Sequence, residues 1–261
     1  GKSAITAWLV DWIMSTRPFA KGIVTANTYD QLSTKTWAEI AKWTKRCITG
    51  HWFDVTSSKG HMKMVHTEHP ESWRVDAQSC KEGNSEAFAG QHAANSTSFY
   101  IYDEASGIED GIWEVSEGGL TDGEPMWFVF GNPTKNSGKF FECFNRSKHR
   151  WTTYQVDSRK VQITNKTKIQ QWVDDEGEDS DFVRVRVRGV FPRSGSNQFI
   201  SNELVRESMH RQVPIGLDDP VVIGVDVARF GDDQTVIATR IGRCCNVYPL
   251  KKYRGLPTDQ V

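Results

Sequence analysis

The sequence predicts an α/β protein, and three observations carry that class. Apolar residues at helical spacing in "SAITAWLVDWIMST" precede a β-branched run, "GIVTAN" (22–27), and a second helical pattern follows it. Two more apolar runs, "SFYIYDEAS" (98–106) and "MWFVFGNPT" (126–134), each end in polar turn residues. Further on, "VVIGVDVA" and "TVIATRIG" flank a Gly-Asp-Asp turn, which reads as a β-hairpin opening a second α/β unit. With 261 residues, 38% hydrophobic and 25% charged, the chain can build one large domain or two ordinary ones, which excludes wholesale disorder.

The elements follow in order. The first helix has apolar spacing at Ile5, Trp8, Leu9, Trp12 and Ile13, and Arg17-Pro18 ends it. After the strand at 22–27, "TYDQLSTKTWAEIAKWTKRCI" reads as a helix with Leu32, Trp37, Ile40 and Ala41 inward. Residues 50–80 read as a strand-rich insertion, with "HWFDVT", "HMKMVHTE" and "SWRVDAQSC" separated by Ser, Gly and Pro. His61, His66 and His69 lie there without Cys partners, so a hairpin with partly exposed imidazoles is expected rather than a metal site. "WTTYQVDS" (151–158) reads as a further strand. Beyond the polar "WVDDEGEDSDF", the strict alternation of "VRVRVRGVF" predicts a strand with Arg184, Arg186 and Arg188 on one face and Val183, Val185 and Val187 on the other. "GLDDP" (216–220) reads as a linker before the hairpin.

Composition narrows the function classes. The formal net charge is -1, so any basic surface must be local. The five cysteines, at 47, 80, 143, 244 and 245, are odd in number and have no C-x-x-C spacing, which argues for reduced thiols over a disulfide framework or a zinc site. No apolar run approaches the ~20 residues of a membrane span.

The opening tripeptide Gly1-Lys2-Ser3 matches the end of the phosphate-loop pattern G-x-x-x-x-G-K-[ST]. Such a loop needs a lysine for the β/γ-phosphates, a hydroxyl for Mg²⁺ and a helix N-terminus aimed at the anion. The tripeptide is weak by itself, and "FYIYDE" supplies its complement. Asp103 ends an apolar strand where it can support the metal, and Glu104 follows where it can polarise water. The bland alternative is a strand running into an acidic helix start. Asn132 or Thr134 in "FVFGNPT" suits a sensor of the γ-phosphate, and a Pro-containing turn suits the same residues. In the second unit, Asp226 sits mid-strand in an apolar setting, where a carboxylate is costly unless it binds a cation. Asp233 adds a second acid, although the turn acids Asp232 and Asp233 both suit a plain hairpin turn, as Asp226 does not. Two-metal phosphodiester cleavage uses several carboxylates around ions ~4 Å apart.

Taken together, "GKS", "VTANTYDQL", "SFYIYDEASGI", "FVFGNPT", "DSDFVRVRVRGVFP" and "VVIGVDVARFGDDQTVI" resemble, in order, the large terminase subunits of tailed bacteriophages. The pairing of D-E-A-S with G-N-P-T, followed by the G-V-D-x-A-x-x-G-x-D hairpin, is the specific part. The resemblance implies an ASCE-type P-loop ATPase domain at 1–150 lacking its first strand, a connecting subdomain at 151–217, and the start of an RNase H-like nuclease domain at 218–261. It implies that both ends are cut within a domain and that the fragment as given is inactive. By the same resemblance Gly1, Lys2 and Ser3 bind ATP, with Ser3 and Asp103 serving Mg²⁺ and Glu104 acting as the catalytic base. Gly131, Asn132, Pro133 and Thr134 form the coupling motif, and Asp226 and Asp233 bind nuclease Mg²⁺ or Mn²⁺, Asp226 being catalytic there. The implied partners are double-stranded DNA, a small terminase subunit, a portal protein and sister copies in a ring on the procapsid, in the host cytoplasm and without a membrane. Arg46, Arg74 and Arg146 all stay open as the transition-state arginine. The Arg184, Arg186 and Arg188 face is a candidate DNA or subunit contact, against pairing with the acids of 174–181. A helicase-like translocase without nuclease function, and an inert binding module, remain as alternatives.

Overall fold

The computed structural model describes residues 1–58, 60–80, 85–93, 95–193, 202–228 and 233–255. The chain divides into two compact units, Gly1–Gln198 and Phe199–Val261, and the α/β class holds.

The first unit is built on a six-stranded mixed sheet in the order β2-β3-β4-β1-β5-β6. Its strands are β1 (Lys21–Ala26), β2 (Phe53–Ser58), β3 (His61–His66), β4 (Arg74–Ala77), β5 (Ser98–Asp103) and β6 (Met126–Val129). β4, β1, β5 and β6 run parallel, and β2 and β3 extend the sheet antiparallel. Residues 50–80 are therefore a continuation of the main sheet rather than an insertion beside it. The β2–β3 pair is a hairpin in which Phe53 faces His66, and the His66 imidazole stacks on Trp73 with ring centroids 4.3 Å apart.

β5 is buried at every position, and its alternation sorts the core into two halves. Phe99 and Ile101 pack with Val24, Ala26, Met64 and Val75 under α1 (Lys2–Thr16), a π-helical segment (Leu32–Trp37) and α3 (Ala38–Thr44). The short α2 (Tyr29–Gln31) leads into that segment, its Thr28 hydroxyl accepting the Gln31 N–H. On the other face, Tyr100 and Tyr102 pack with Trp113 and Phe140 from α4 (Asp110–Gly118) and α5 (Lys139–Phe144).

Three element readings change. α1 forms where expected, but it buries Ala7, Val10, Ile13 and Met14, leaving Ile5, Trp8 and Trp12 exposed. Both stripes have helical spacing, and it is the two tryptophans, Trp8 and Trp12, that stay outside. Residues 151–158 form no strand; they run extended into a 3₁₀ turn, Ser158–Lys160. "VRVRVR" is helical: α7 (Asp181–Val183) continues as a π segment, Arg184–Arg188. Ser180 caps its start by accepting the Val183 N–H, and Gly189 ends it at φ 62°. Val183 and Val187, four residues apart, bury against Ile169 of α6 (Lys166–Glu176). The arginines turn to nearby acids and carbonyls: Arg184 donates to the Phe191 carbonyl, and Arg188 and Arg193 pair with Asp179.

The second unit contains α8 (Asn202–His210) and a three-stranded antiparallel sheet of β7 (Val221–Asp226), β8 (Thr235–Ile241) and β9 (Lys251–Tyr253). The expected hairpin is β7–β8, running from Val221 opposite Ile241 to Asp226 opposite Val236. β7 is exposed along its whole length, so Asp226 is not in the buried apolar setting expected of it. No described helix is long and apolar enough to cross a membrane.

Candidate functional site

Parallel pairing gathers the carboxyl ends of β1, β5 and β6, the edge at which open α/β sheets hold ligands. Ala26 stands opposite Asp103, and Tyr102 opposite Val129.

Asp103 has the parity of Phe99 and Ile101, so it faces the layer made by α1 and the π-helical segment. It is 5% exposed. Its Oδ1 accepts the Glu104 N–H at 3.0 Å, and its Oδ2 accepts the Thr36 hydroxyl at 2.7 Å. Among the described residues no cation pairs with it.

Glu104 leaves the strand in the left-handed region, at φ 52° and ψ 45°. For a residue with a Cβ this costs about 1–3 kcal/mol and persists where the surroundings enforce it. The Gly107 N–H closes the turn on the Glu104 carbonyl at 3.0 Å. The Glu104 carboxylate meets Lys2, Nζ to Oε1, at 2.8 Å, and each side chain is about one-third exposed (34%). Lys2 is the first residue of α1, with Gly1 as its N-cap and Ser3 directly after it. The amino end of this 15-residue helix, with its free N–H groups and partial positive charge, therefore opens beside the two carboxylates.

The turn after β6 docks on the turn after β5. The Phe130 N–H donates to the Tyr102 carbonyl at 2.8 Å, and the Ala105 N–H donates to the Phe130 carbonyl at 2.9 Å. The Ser106 and Thr134 hydroxyls lie 2.9 Å apart. Gly131 permits this approach, since a Cβ there would stand 3.1 Å from the Ala105 nitrogen. Pro133 is buried, and Asn132 and Thr134 are exposed.

Lys2 and Glu104 are thus joined by an ion pair, Asp103 accepts the Glu104 backbone N–H, Ser3 adjoins Lys2, and the 131–134 turn is tied to the turn that carries Glu104. The donor set fits a nucleotide with Mg²⁺. It offers an ammonium and a helix N-terminus for phosphate, and a buried carboxylate with one lone pair free on each oxygen for a metal's water shell. Arg74 stands elsewhere: it opens β4 opposite Lys21, five register positions from Ala26, and holds Asp76 in a bidentate pair. At ~3.3 Å per residue that is roughly 16 Å from the Asp103 end. Sequence reasoning missed Thr36 and Ser106. Thr36 did carry a signal, lying midway between the inward Leu32 and Ile40 at a spacing of four on either side.

In the second unit, Asp226 ends β7 and Asp233 precedes β8, so both acids lie at one end of the hairpin. Thr235 closes that end, its hydroxyl accepting the Ala228 N–H at 3.0 Å. Asp232 lies outside the described residues. Among the described residues no group of three or more His, Cys, Asp or Glu side chains could hold a metal ion.

The chain is 27% identical over 247 residues to a probable terminase large subunit of Enterobacteria phage P7, over 91% of this chain and 50% of that protein. Among solved structures it is similar to the large terminase of a thermophilic bacteriophage, in one crystal form (13% identity) and in complex with ADP in another (12%). Each comparison has a TM-score of 0.54 and covers 98% of this chain and 62% of that one. The HK97 bacteriophage large terminase gives a TM-score of 0.50 at 13% identity, over 90% and 52% of the two chains. No family model matches. The chain spans about half the length of the curated relative it matches. It is similar in sequence and fold to phage large terminases, the resemblance its motifs imply.

Proposed function

We propose that the chain carries the ATPase of a viral DNA-packaging motor of the large terminase class, together with the opening hairpin of its nuclease. The observation that carries this reading is the Lys2–Glu104 ion pair standing over buried Asp103 at the amino end of α1. That the large terminase of the thermophilic phage was solved in complex with ADP supports a nucleotide ligand for this reading.

In this reading Gly1, Lys2 and Ser3 hold ATP. Lys2 exchanges Glu104 for the β/γ-phosphates, which frees the Glu104 carboxylate to orient and deprotonate the attacking water. Ser3 and Asp103 would hold Mg²⁺, Ser3 through its hydroxyl and Asp103 through the ion's water shell, and the metal would supply charge neutralisation on the phosphates. Gly131, Asn132, Pro133 and Thr134 carry the state of the site onward through the Thr134–Ser106 contact. Residues 1–150 form the ATPase part, 151–217 the connection and 218–261 the start of an RNase H-like nuclease. Asp226 and Asp233 are the first of its Mg²⁺ or Mn²⁺ ligands.

The substrate is double-stranded DNA, gripped through phosphates so that any sequence can pass. The partners are a small subunit, a portal and sister copies in a ring, in the host cytoplasm. The paired state of Arg184 and Arg188 argues against the 184–188 face as the main DNA grip.

The test is Mg²⁺-dependent ATP turnover by the full-length protein. Glu104→Gln is expected to lose about 10²–10⁴-fold in kcat, the usual range for removing a positioned base. Turnover and DNA packaging that survive this change would sink the assignment.

A further inference from the structure

We infer that Thr36 is a positioning residue for the metal-supporting carboxylate of Asp103, held on a π-helical turn that lets Trp37 turn inward beside it. The inference rests on the ATP reading given above and adds a residue to it.

A regular α-helix through this region would stack Leu32, Thr36 and Ile40 on one stripe and turn Trp37 about 100° away from it. The wider π turn directs the adjacent Thr36 and Trp37 both inward, each fully buried. They serve different parts of the sheet. The Trp37 indole N–H donates to the Thr56 carbonyl on β2 at 3.0 Å, while the Thr36 hydroxyl donates to Asp103 Oδ2 at 2.7 Å. π turns carry worse hydrogen-bond geometry than α turns and concentrate at functional sites. Here the distortion brings Trp37 inward while Thr36 keeps its place on the Leu32 and Ile40 stripe, with its hydroxyl on Asp103.

The second donor to Asp103 is the Glu104 N–H, on the other oxygen. The two donors clamp the carboxylate plane about a torsion that is otherwise broad. Each occupies one lone pair per oxygen, and the two that remain are left for the water shell of a metal. With the Thr36 hydroxyl gone, Oδ2 is a buried acceptor without a donor, and the carboxylate is free to turn out of the plane that faces the metal. Outer partners of metal-holding carboxylates are typically worth about 10- to 100-fold in metal affinity.

The test measures how much Mg²⁺ tightens binding of a fluorescent ATP analogue, mant-ATP, to the full-length protein: its Kd in EDTA divided by its Kd in Mg²⁺. Thr36→Val is expected to shrink that gain at least about 10-fold while leaving the EDTA Kd unchanged, and Thr36→Ser to restore it. In an Asp103→Asn background, Thr36→Val should change nothing further, since the hydroxyl acts only through that carboxylate. A folded Thr36→Val protein with the native Mg²⁺ gain overturns the proposal, as does an equal loss in both Kd values. If Thr36→Val does not fold, Thr36→Cys keeps the volume and weakens the donor. A native gain there overturns the proposal as well, and a reduced one supports it. A native protein that binds no mant-ATP removes the ATP reading itself, and this role of Thr36 with it.

Discussion

Asp11 is 8% exposed on the inner face of α1, with the Thr44 hydroxyl donating to its Oδ1 at 2.7 Å. Burial pushes its carboxyl up to about 6 from 3.8, and the Thr44 hydrogen bond opposes this only in part. The sign of the effect follows from linkage. A carboxyl that holds its proton more tightly when folded lends stability below its unfolded value, and that contribution is lost as pH rises through 6. Asp11→Asn keeps the acceptor and cannot ionise. It should match the native protein near pH 4 and exceed it at pH 8 by up to about 3 kcal/mol, at ~1.4 kcal/mol per unit. Urea titrations at the two pH values measure this, and equal differences at both would refute it. Glu104 shows the opposite bargain at the same scale. A left-handed backbone that glycine would adopt freely is kept for a residue whose carboxylate pairs with Lys2.

At the scale of elements, α1 separates two readings of one pattern. Ile5 and Ile13 have the same side chain, 43% and 0% exposed. Ile13→Ala should cost about 2–5 kcal/mol, and Ile5→Ala under about 1, by thermal or denaturant melts. Equal costs would mean that the exposed stripe is covered in solution. The existence of the helix was legible in its spacing, but its inward face was not. Every position from Ala7 to Met14 except Asp11 is apolar, and packing against the sheet distinguishes Ala7 and Val10 from Trp8 and Trp12. In "VRVRVR", Val183 and Val187 satisfy period 2 and a helical step of four equally well. The deciding signals were the caps, Ser180 before and Gly189 after, which alternation alone ignores. The site was more legible than its supports. Asp103 and Glu104 announce themselves as acids ending an apolar strand, whereas Thr36 is a polar residue on an apolar stripe, marked only by its spacing of four from Leu32 and Ile40. Asp226 gave a reason that failed: the apolar neighbours that suggested burial belong to a strand exposed on both faces.

At the scale of the whole molecule, the two units differ in how well their backbones are shielded. β5 is buried at all six positions between helical layers, while Val221, Val222, Ile223 and Val225 of β7 are 43–62% exposed. A small sheet without a covering layer opens locally at little cost. Amides of 221–226 should therefore exchange with deuterium at least about 100-fold faster than those of 98–103 in this chain. Comparable protection in the two strands, read by mass spectrometry, would show that β7 is covered in solution. The same contrast predicts where a protease cuts first: beyond residue 198 rather than within the six-stranded sheet.

The alternation of β5 also limits how a gene encoding it can change length. Asp103 reaches Thr36 and α1 because it lies an even number of residues from Phe99 and Ile101, whose side chains fill the core half beneath those helices. One codon gained or lost within 98–102 reverses that phase. Tyrosines would then push into the α1 half, and the carboxylate would face α4 and α5. Two codons preserve the phase but slide the acid past Ala26 and the end of the sheet. Insertions and deletions in this strand should be purged whatever residues they add, while the exposed turn at 121–125 absorbs them. A library of single-codon insertions, scored for ATP turnover, would trace that boundary codon by codon.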